Sequence, residues 1–334
     1  MKAMVLREIG SIDDSPLKLE DMPIPEPGPQ QVRIKIRCCA ICRTDLHVIE
    51  GDLPEYKLPM VPGHQIIGTI DKIGRGCGHV RKGQRVGVAW LRSTCGKCEY
   101  CLSGKENLCE AAMFTGYHKE GGFAEYALVR YDFAYPIPKK IDDVTAAPML
   151  CSGLIGYRAL ERANVFSGCR LLLIGFGSSA HLVMQLAKNR FCEVFVVTRS
   201  EGHQELAREM GAVWVGSSCD ELPDLMDSVI IFAPVGELYR DALNHLKRGG
   251  TVISAGIHMS PVPQFDYQDH MFYERDIRTV TCNTRDDGKK LIKEAAKTGL
   301  TPQVTTYPLE EANQALQDLK HDRINGTGVI VVRE

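Results

Sequence analysis

A chain of 334 residues exceeds what one hydrophobic core normally supports, so two domains are expected. With 44% hydrophobic residues, 25% charged residues and a formal charge of −2, the composition is that of a soluble globular protein, with no reason to expect nucleic acid or an anionic membrane as partner. The opening MKAMVLREIG lacks the apolar core of a signal peptide and no run approaches the roughly 18 apolar residues of a spanning helix, so the expected location is the cytoplasm.

The first third reads as a β-rich domain with irregular loops. Apolar runs at Ala3–Leu6 and Leu17–Leu19 precede a Pro/Gly-rich turn at Pro23–Pro29, and Val32–Arg37 (VRIKIR) alternates apolar and basic residues with the period of a half-buried strand. Gly68–Gly74, Gln84–Trp90 and Gly121–Val129 are further strand candidates bounded by glycine turns. The segment Cys42–His64 brings a cysteine, a hydroxyl, a carboxylate and two histidines together, with Gly51, Pro54, Pro59, Pro62 and Gly63 breaking any regular helix across it. Thiolate and imidazole both suit a borderline-soft cation such as Zn²⁺, so Cys42 and His64 are candidate ligands. A catalytic zinc takes three protein ligands, and the third must come from elsewhere.

Cysteines are numerous, thirteen in all, and in a large chain without an export signal they suggest metal or redox chemistry rather than disulfides. Cys95, Cys98 and Cys101, followed by Cys109, have the spacing of a closed tetrahedral zinc site that would pin a loop with no helix or strand of its own. A ferredoxin-type cluster would favour a fourth cysteine three residues on and then proline; here the fourth is eight residues on and precedes Glu110.

From about residue 150 strand and helix signals alternate, the pattern of a doubly wound parallel sheet with its ligand at the carboxyl ends of the strands. Strands are expected at Cys169–Gly175, Glu193–Thr198, Ala212–Gly216, Asp227–Pro234, Gly249–Gly256 and Ile277–Cys282, with helices after Gly175, over His203–Gly211 and ending at Lys247 and Arg248. Helices over Asp286–Gly299 and Leu309–Arg323 and a strand over Gly328–Val332 close the chain. Gly175-Phe176-Gly177-Ser178-Ser179-Ala180 follows a strand and opens a helix: Gly175 for the tight turn, Gly177 for approach to a pyrophosphate, Ala180 for helix–strand packing. The acid that would bind the adenosine ribose after the second strand is absent. Thr198, Arg199 and Ser200 stand there instead, groups suited to a 2′-phosphate, so NADP(H) is favoured over NAD(H); Glu201 is the nearby acid that would weaken the preference.

The motifs CRTDLH at 42–47, GHQIIG at 63–68, the cysteine cluster at 95–109 and MLCSGLIGYRAL at 149–160 ahead of GFGSSA resemble the zinc-dependent alcohol dehydrogenases of the medium-chain dehydrogenase/reductase family, nearest the cinnamyl-alcohol-dehydrogenase-like members. The resemblance spans essentially the whole chain. It implies an α/β protein with an irregular β-rich GroES-like catalytic domain (1–148 and 285–334) and a Rossmann coenzyme domain (149–284). It further implies two zinc ions per chain, a homodimer or homotetramer, and hydride transfer between a primary alcohol or aldehyde and a nicotinamide coenzyme, for which Thr198, Arg199 and Ser200 favour NADP(H) against the family's commonest arrangement. The catalytic zinc ligands would be Cys42, His64 and Cys151, with Asp45 orienting His64. Thr44 would take the alcohol's proton and pass it through the nicotinamide ribose to His47, and Arg43 would face the coenzyme pyrophosphate. Trp90, Leu91, Phe114, Tyr117 and Met259 fall at pocket positions. Two departures stand out: Gln65 replaces the family's usual Glu after the zinc-binding His, and near the C-terminus, at Ile324-Asn325-Gly326, only Arg323 is at hand for the pyrophosphate. A zinc-free quinone or enoyl reductase on the same fold would lack Cys42, His64 and the tetracysteine loop; a non-catalytic coenzyme-binding protein would show a damaged ligand set. The remaining seven cysteines, Cys38, Cys39, Cys77, Cys169, Cys192, Cys219 and Cys282, are expected to be small buried apolar residues.

Overall fold

The computed structural model describes residues 1–54 and 57–333. The chain divides into two compact units, Met1–Leu154 with Cys282–Glu334, and Ile155–Thr281.

The first unit is built on an antiparallel core sheet in the order Val304–Pro308, Thr327–Val331, Gln31–Ala40, Gln65–Ile73, Arg85–Val88 and Ala134–Pro136, with Tyr126–Arg130 also paired to Gln31–Ala40; only the first two of these strands are parallel. Period-two patterning is visible in Gln31–Ala40, where Val32, Ile34 and Ile36 are fully buried. They join Ile66, Ile70, Phe123 and Phe133 in one core. The C-terminal strand pairs Val329 with Ala40 and Val331 with Cys38, so the tail is stitched to the strand that leads into Cys42. The helix Arg285–Thr298 has Thr284 and Asp287 as a capping box and stops at Gly299 in the left-handed conformation.

The second unit holds six parallel strands in the order Trp214–Gly216, Glu193–Val197, Arg170–Ile174, Met226–Ile231, Leu246–Ser254 and Asp276–Thr279. Strand order reverses between Arg170–Ile174 and Met226–Ile231, the switch point of a doubly wound fold. Leu172, Ile174, Val229, Ile231 and Val252 are buried in its core.

Three local expectations are corrected. Lys247 and Arg248 lie in the strand Leu246–Ser254, and the helix before it is Leu238–Asn244. Their charges serve tertiary partners, since Lys247 Nζ reaches Asp227 Oδ1 at 2.8 Å and Arg248 stacks over Tyr273 at 3.9 Å. The cysteine loop has structure of its own, a short helix Glu99–Leu102 and a 3₁₀ turn Glu106–Leu108, because the Cys98–Cys101 spacing is one helical turn. A regular helix, Arg43–Glu50, also occupies the start of the Cys42–His64 stretch and ends at Gly51.

Candidate active site and metal centres

Cys42 lies two residues beyond the strand Gln31–Ala40 and serves as N-cap of Arg43–Glu50, a residue type seldom found at that position. Asp45, at the third helical position, accepts from the Cys42 backbone N–H at 2.9 Å through Oδ2 and from the His64 ring at Nδ1 at 2.9 Å through Oδ1. With Asp45 1% and His64 0% exposed, neither carboxylate nor ring can rotate into water. The second ring nitrogen, Nε2, is thereby turned to Cys42 Sγ at 3.3 Å, and Cys151 Sγ lies 3.9 Å from Cys42 Sγ. Next to His64 the Phe123 ring packs directly on the Gly63 backbone. Gly63 has φ +93°, and a Cβ there would meet Phe123 Cδ1 at 2.5 Å.

Two sulfurs and an imidazole nitrogen, all within 4.8 Å of one another, form a soft donor triangle. A tetrahedral zinc with bonds of about 2.3 Å to sulfur and 2.0 Å to nitrogen has ligand edges of roughly 3.5–3.8 Å, close to those observed. The electrostatics of the cluster suit a positive charge. Burial opposes a charge on His64, yet Asp45 and Cys42 hold its pKa up at about 10. Hydrogen bonding from Cys151 first, then His64 and the Thr44 hydroxyl, draws Cys42 well below the usual thiol range. Zn²⁺ would supply the same positive charge in place of a proton. Gln65 adjoins the cluster, fully buried, and neither Nε2 nor Oε1 of its amide has a hydrogen-bond partner among the described residues.

Thr44 and His47 stand three residues apart on Arg43–Glu50 and so share a face; His47 Nδ1 meets Asp52 Oδ2 at 2.8 Å. Arg43 forms an exposed ion pair with Asp322 at 2.6 Å, while Arg323 is bonded to Asp318 at 2.8 Å. Trp90 meets the His64 ring edge-on at 4.9 Å and stacks on Phe114 and Tyr117 at 5.1 and 5.8 Å. Leu91 belongs to the first unit's core and Met259 packs against the core of the second.

Cys95, Cys98, Cys101 and Cys109 gather between the paired strands Leu91–Ser93 and Met113–Phe114, with sulfurs within 4.8 Å of one another and Cys95 3.9 Å from Cys101. The Lys97 and Cys98 amides donate to Cys95 Sγ at 3.5 and 3.3 Å and bring its pKa down to about 6. Four donors close the shell and leave no position for substrate. A charged trio that the sequence does not announce holds this loop to the body of the unit: Arg285 clasps Glu106 at 2.6 Å and Asp132 at 2.8 Å, with its guanidinium 4.6 Å from the Phe133 ring centre.

In the second unit the strand Arg170–Ile174 ends in Gly175 (φ +89°), whose N–H donates to Val197 O at 2.8 Å. The helix Ser178–Asn189 begins just beyond, with Gly177 as its cap. A Cβ on Gly177 would meet nothing within 4 Å, so the turn fronts open space of the kind a pyrophosphate needs, while Ala180 is fully buried. The register Ile174↔Val197 sets Thr198, Arg199 and Ser200 beside this turn. Ser200 Oγ caps the helix Glu201–Glu209 by accepting from His203 N, and Thr198 O accepts from Gln204 Nε2 at 2.8 Å. Arg199 is exposed and forms no ion pair among the described residues.

A unit carrying one open and one closed soft-metal cluster, and a unit carrying a dinucleotide turn on a parallel sheet, define a metal-dependent dehydrogenase. Residues 28–139 match the alcohol dehydrogenase GroES-like domain and residues 180–297 the zinc-binding dehydrogenase domain. A probable alcohol dehydrogenase, AdhA, of Mycobacterium tuberculosis is 41% identical over 337 residues, covering 99% of this chain and 97% of its own. The fold is similar to a cinnamyl alcohol dehydrogenase of Sorghum bicolor (TM-score 0.90, 25% identity, 99% of this chain and 97% of that one). It is also similar to an acetophenone reductase of Geotrichum candidum in complex with NAD (TM-score 0.87, 29% identity, 99% and 97%). The chain belongs to the zinc-binding alcohol dehydrogenase family and is an oxidoreductase. No helix among the described residues is long and apolar enough to cross a membrane.

Proposed function

We propose that this alcohol dehydrogenase interconverts a primary alcohol and its aldehyde with NADP(H) as the preferred coenzyme, the first unit holding the catalytic and structural zinc ions and the second the coenzyme. Zinc, when bound by Cys42, His64 and Cys151, supplies Lewis-acid polarisation, and the nicotinamide supplies the redox chemistry. The chain's own residues do the rest. Asp45 fixes the tautomer of His64 so that Nε2 is the donor to the metal. Thr44 accepts the proton of the substrate hydroxyl at Oγ1, and His47, on the same helical face, carries it toward solvent. Trp90, Phe114 and Tyr117 form an apolar, flat surface beside His64 that suits the carbon body of the substrate.

One observation carries the coenzyme reading: beside the Gly175–Gly177 turn there is an exposed guanidinium, Arg199, with no ion-pair partner among the described residues, where a carboxylate would otherwise accept the ribose hydroxyls. The Ser200 hydroxyl, with its oxygen engaged as a cap, keeps its proton for donation to a phosphate. NAD(H) is the second reading, supported by Glu201 one residue further on and by the neighbour solved with NAD. The test is kcat/KM for both coenzymes on the wild type and on Arg199→Ala. The expected result is a wild-type preference for NADP(H) and a loss of about 10–100-fold with NADP(H) on substitution, with NAD(H) nearly unchanged. A wild-type preference for NAD(H), or a ratio that Arg199→Ala leaves unmoved, overturns it.

A further inference from the structure

Away from both metal clusters, Cys169 and Cys192 sit at the amino ends of the strands Arg170–Ile174 and Glu193–Val197, opposite the ends where the Gly175 turn lies. Their sulfurs are 3.2 Å apart, closer than the 3.9 Å of Cys42–Cys151 or Cys95–Cys101. Packing of two small apolar residues does not require this approach, and metal binding does not account for it, since no third ligand joins them among the described residues. Backbone hydrogen bonds on both sides fix the register: Gly168 N donates to Phe191 O and Glu193 N to Cys169 O, each at 2.8 Å. Neighbouring strands run about 4.8 Å apart, inside the window of Cα separations that a disulfide spans. Cys192 is held from a second direction. Its N–H bonds Ala187 O at 3.0 Å, closing the C-terminus of Ser178–Asn189 over Phe191 in the left-handed conformation at φ +62°. The two thiols are therefore presented to one another by three elements, with little freedom to part.

We propose that Cys169 and Cys192 are a dithiol modification site, oxidised by a hydroperoxide to an intramolecular disulfide that braces the dinucleotide-binding strand–turn–helix. Cys192 is 7% exposed and Cys169 0%, so an oxidant as small as hydrogen peroxide reaches the pair through Cys192. The Cys192 sulfur attacks one peroxide oxygen, the O–O bond breaks, and the departing hydroxide takes the thiol proton as water. The Cys169 sulfur then attacks the resulting sulfenic acid, the S–O bond breaks, and the hydroxyl leaves as a second water with the Cys169 proton. Two thiols lose two electrons and one hydrogen peroxide becomes two waters. Cys169 Sγ donates to Cys192 Sγ at 3.2 Å, so the pair shares a proton between its sulfurs while the more exposed one attacks. The closed loop contains Arg170–Ile174, the Gly175–Gly177 turn and the helix Ser178–Asn189, so the bond restricts the unfolded chain and ties the helix end to the first strand.

The test treats the zinc-loaded full-length protein with a few equivalents of hydrogen peroxide, followed by digestion without reductant, mass mapping, zinc analysis and a thermal melt. Expected are a Cys169–Cys192 linked peptide about 2 Da lighter than the two thiol peptides, retained zinc, and a Tm raised by at least about 3 °C. Dithiothreitol should reverse both changes, and Cys192→Ala and Cys169→Ala should show neither. The linked peptide is read on the wild type, so a variant that folds poorly leaves the test intact. Failure of the linked peptide to form at doses that already oxidise other cysteines overturns the proposal, as does a linked peptide with no rise in Tm.

Discussion

Cys95 and Cys109 are 14 positions apart and the tetracysteine cluster is complete within that loop, whereas Cys42 draws one partner from 22 positions away and another from 109. The difference is one of energy as well as distance. A short loop with four thiolates can close around a cation at small entropic cost, so a bound ion is expected to supply much of what orders it. The open triangle is held by a sheet that is already paired, by the Asp45–His64 bond and by the packing at Gly63, so its ion is expected to contribute chemistry more than folding.

The sharpest way to break this contrast is Cys151→Ser. Turnover should fall by at least about a thousandfold while Tm changes little, and zinc analysis should drop from two ions per chain to one. A large loss of Tm would show that the open site also holds the fold together. Cys98→Ser is the mirror experiment: a Tm lower by at least about 5 °C, with the catalytic ion retained at low temperature. If activity disappeared first and stability stayed, the roles of the two clusters would be reversed.

Asp45→Asn probes how the open site is positioned. It removes the charge that faces His64 Nδ1 but keeps an oxygen there, so metal affinity or activity should fall about 10–100-fold, read by zinc retention under dialysis against a chelator. The smallest expected effect is Arg285→Ala, which releases the cysteine loop from its clasp and should cost about 2 kcal/mol at pH 7. Burial works against the Glu106 carboxylate, but Arg285 lowers its pKa below the ordinary 4.5. A carboxylate with a depressed folded pKa stabilises above its unfolded value and loses that contribution as pH falls through the folded one. The stability gap between wild type and Arg285→Ala, measured by denaturant titration, should therefore be full at pH 6–7 and narrow below about 4.5. A gap that widened in acid would remove Glu106 from the account.

The amino-acid sequence determined those features whose physics is local. The tetracysteine loop is legible because its ligands share one short segment, and the Gly175–Ala180 turn because strand, turn and helix follow one another directly. The alternation in Val32–Arg37 announces a strand because burial on one sheet face repeats every second residue. Cys151 is legible as a candidate ligand only through family resemblance, since nothing near it in the chain marks it as one. The tertiary structure decided what depends on segments meeting from far apart: Asp45 against His64, Trp90 on the His64 ring, Arg285 on Glu106, and Cys169 facing Cys192. It also turned Lys247 and Arg248 into strand residues, because partners on other elements, Asp227 and Tyr273, outweigh the helical preference of their own neighbourhood. Periodicity reports only whether a side chain is covered. Which atoms cover it is fixed by the packing of the whole unit.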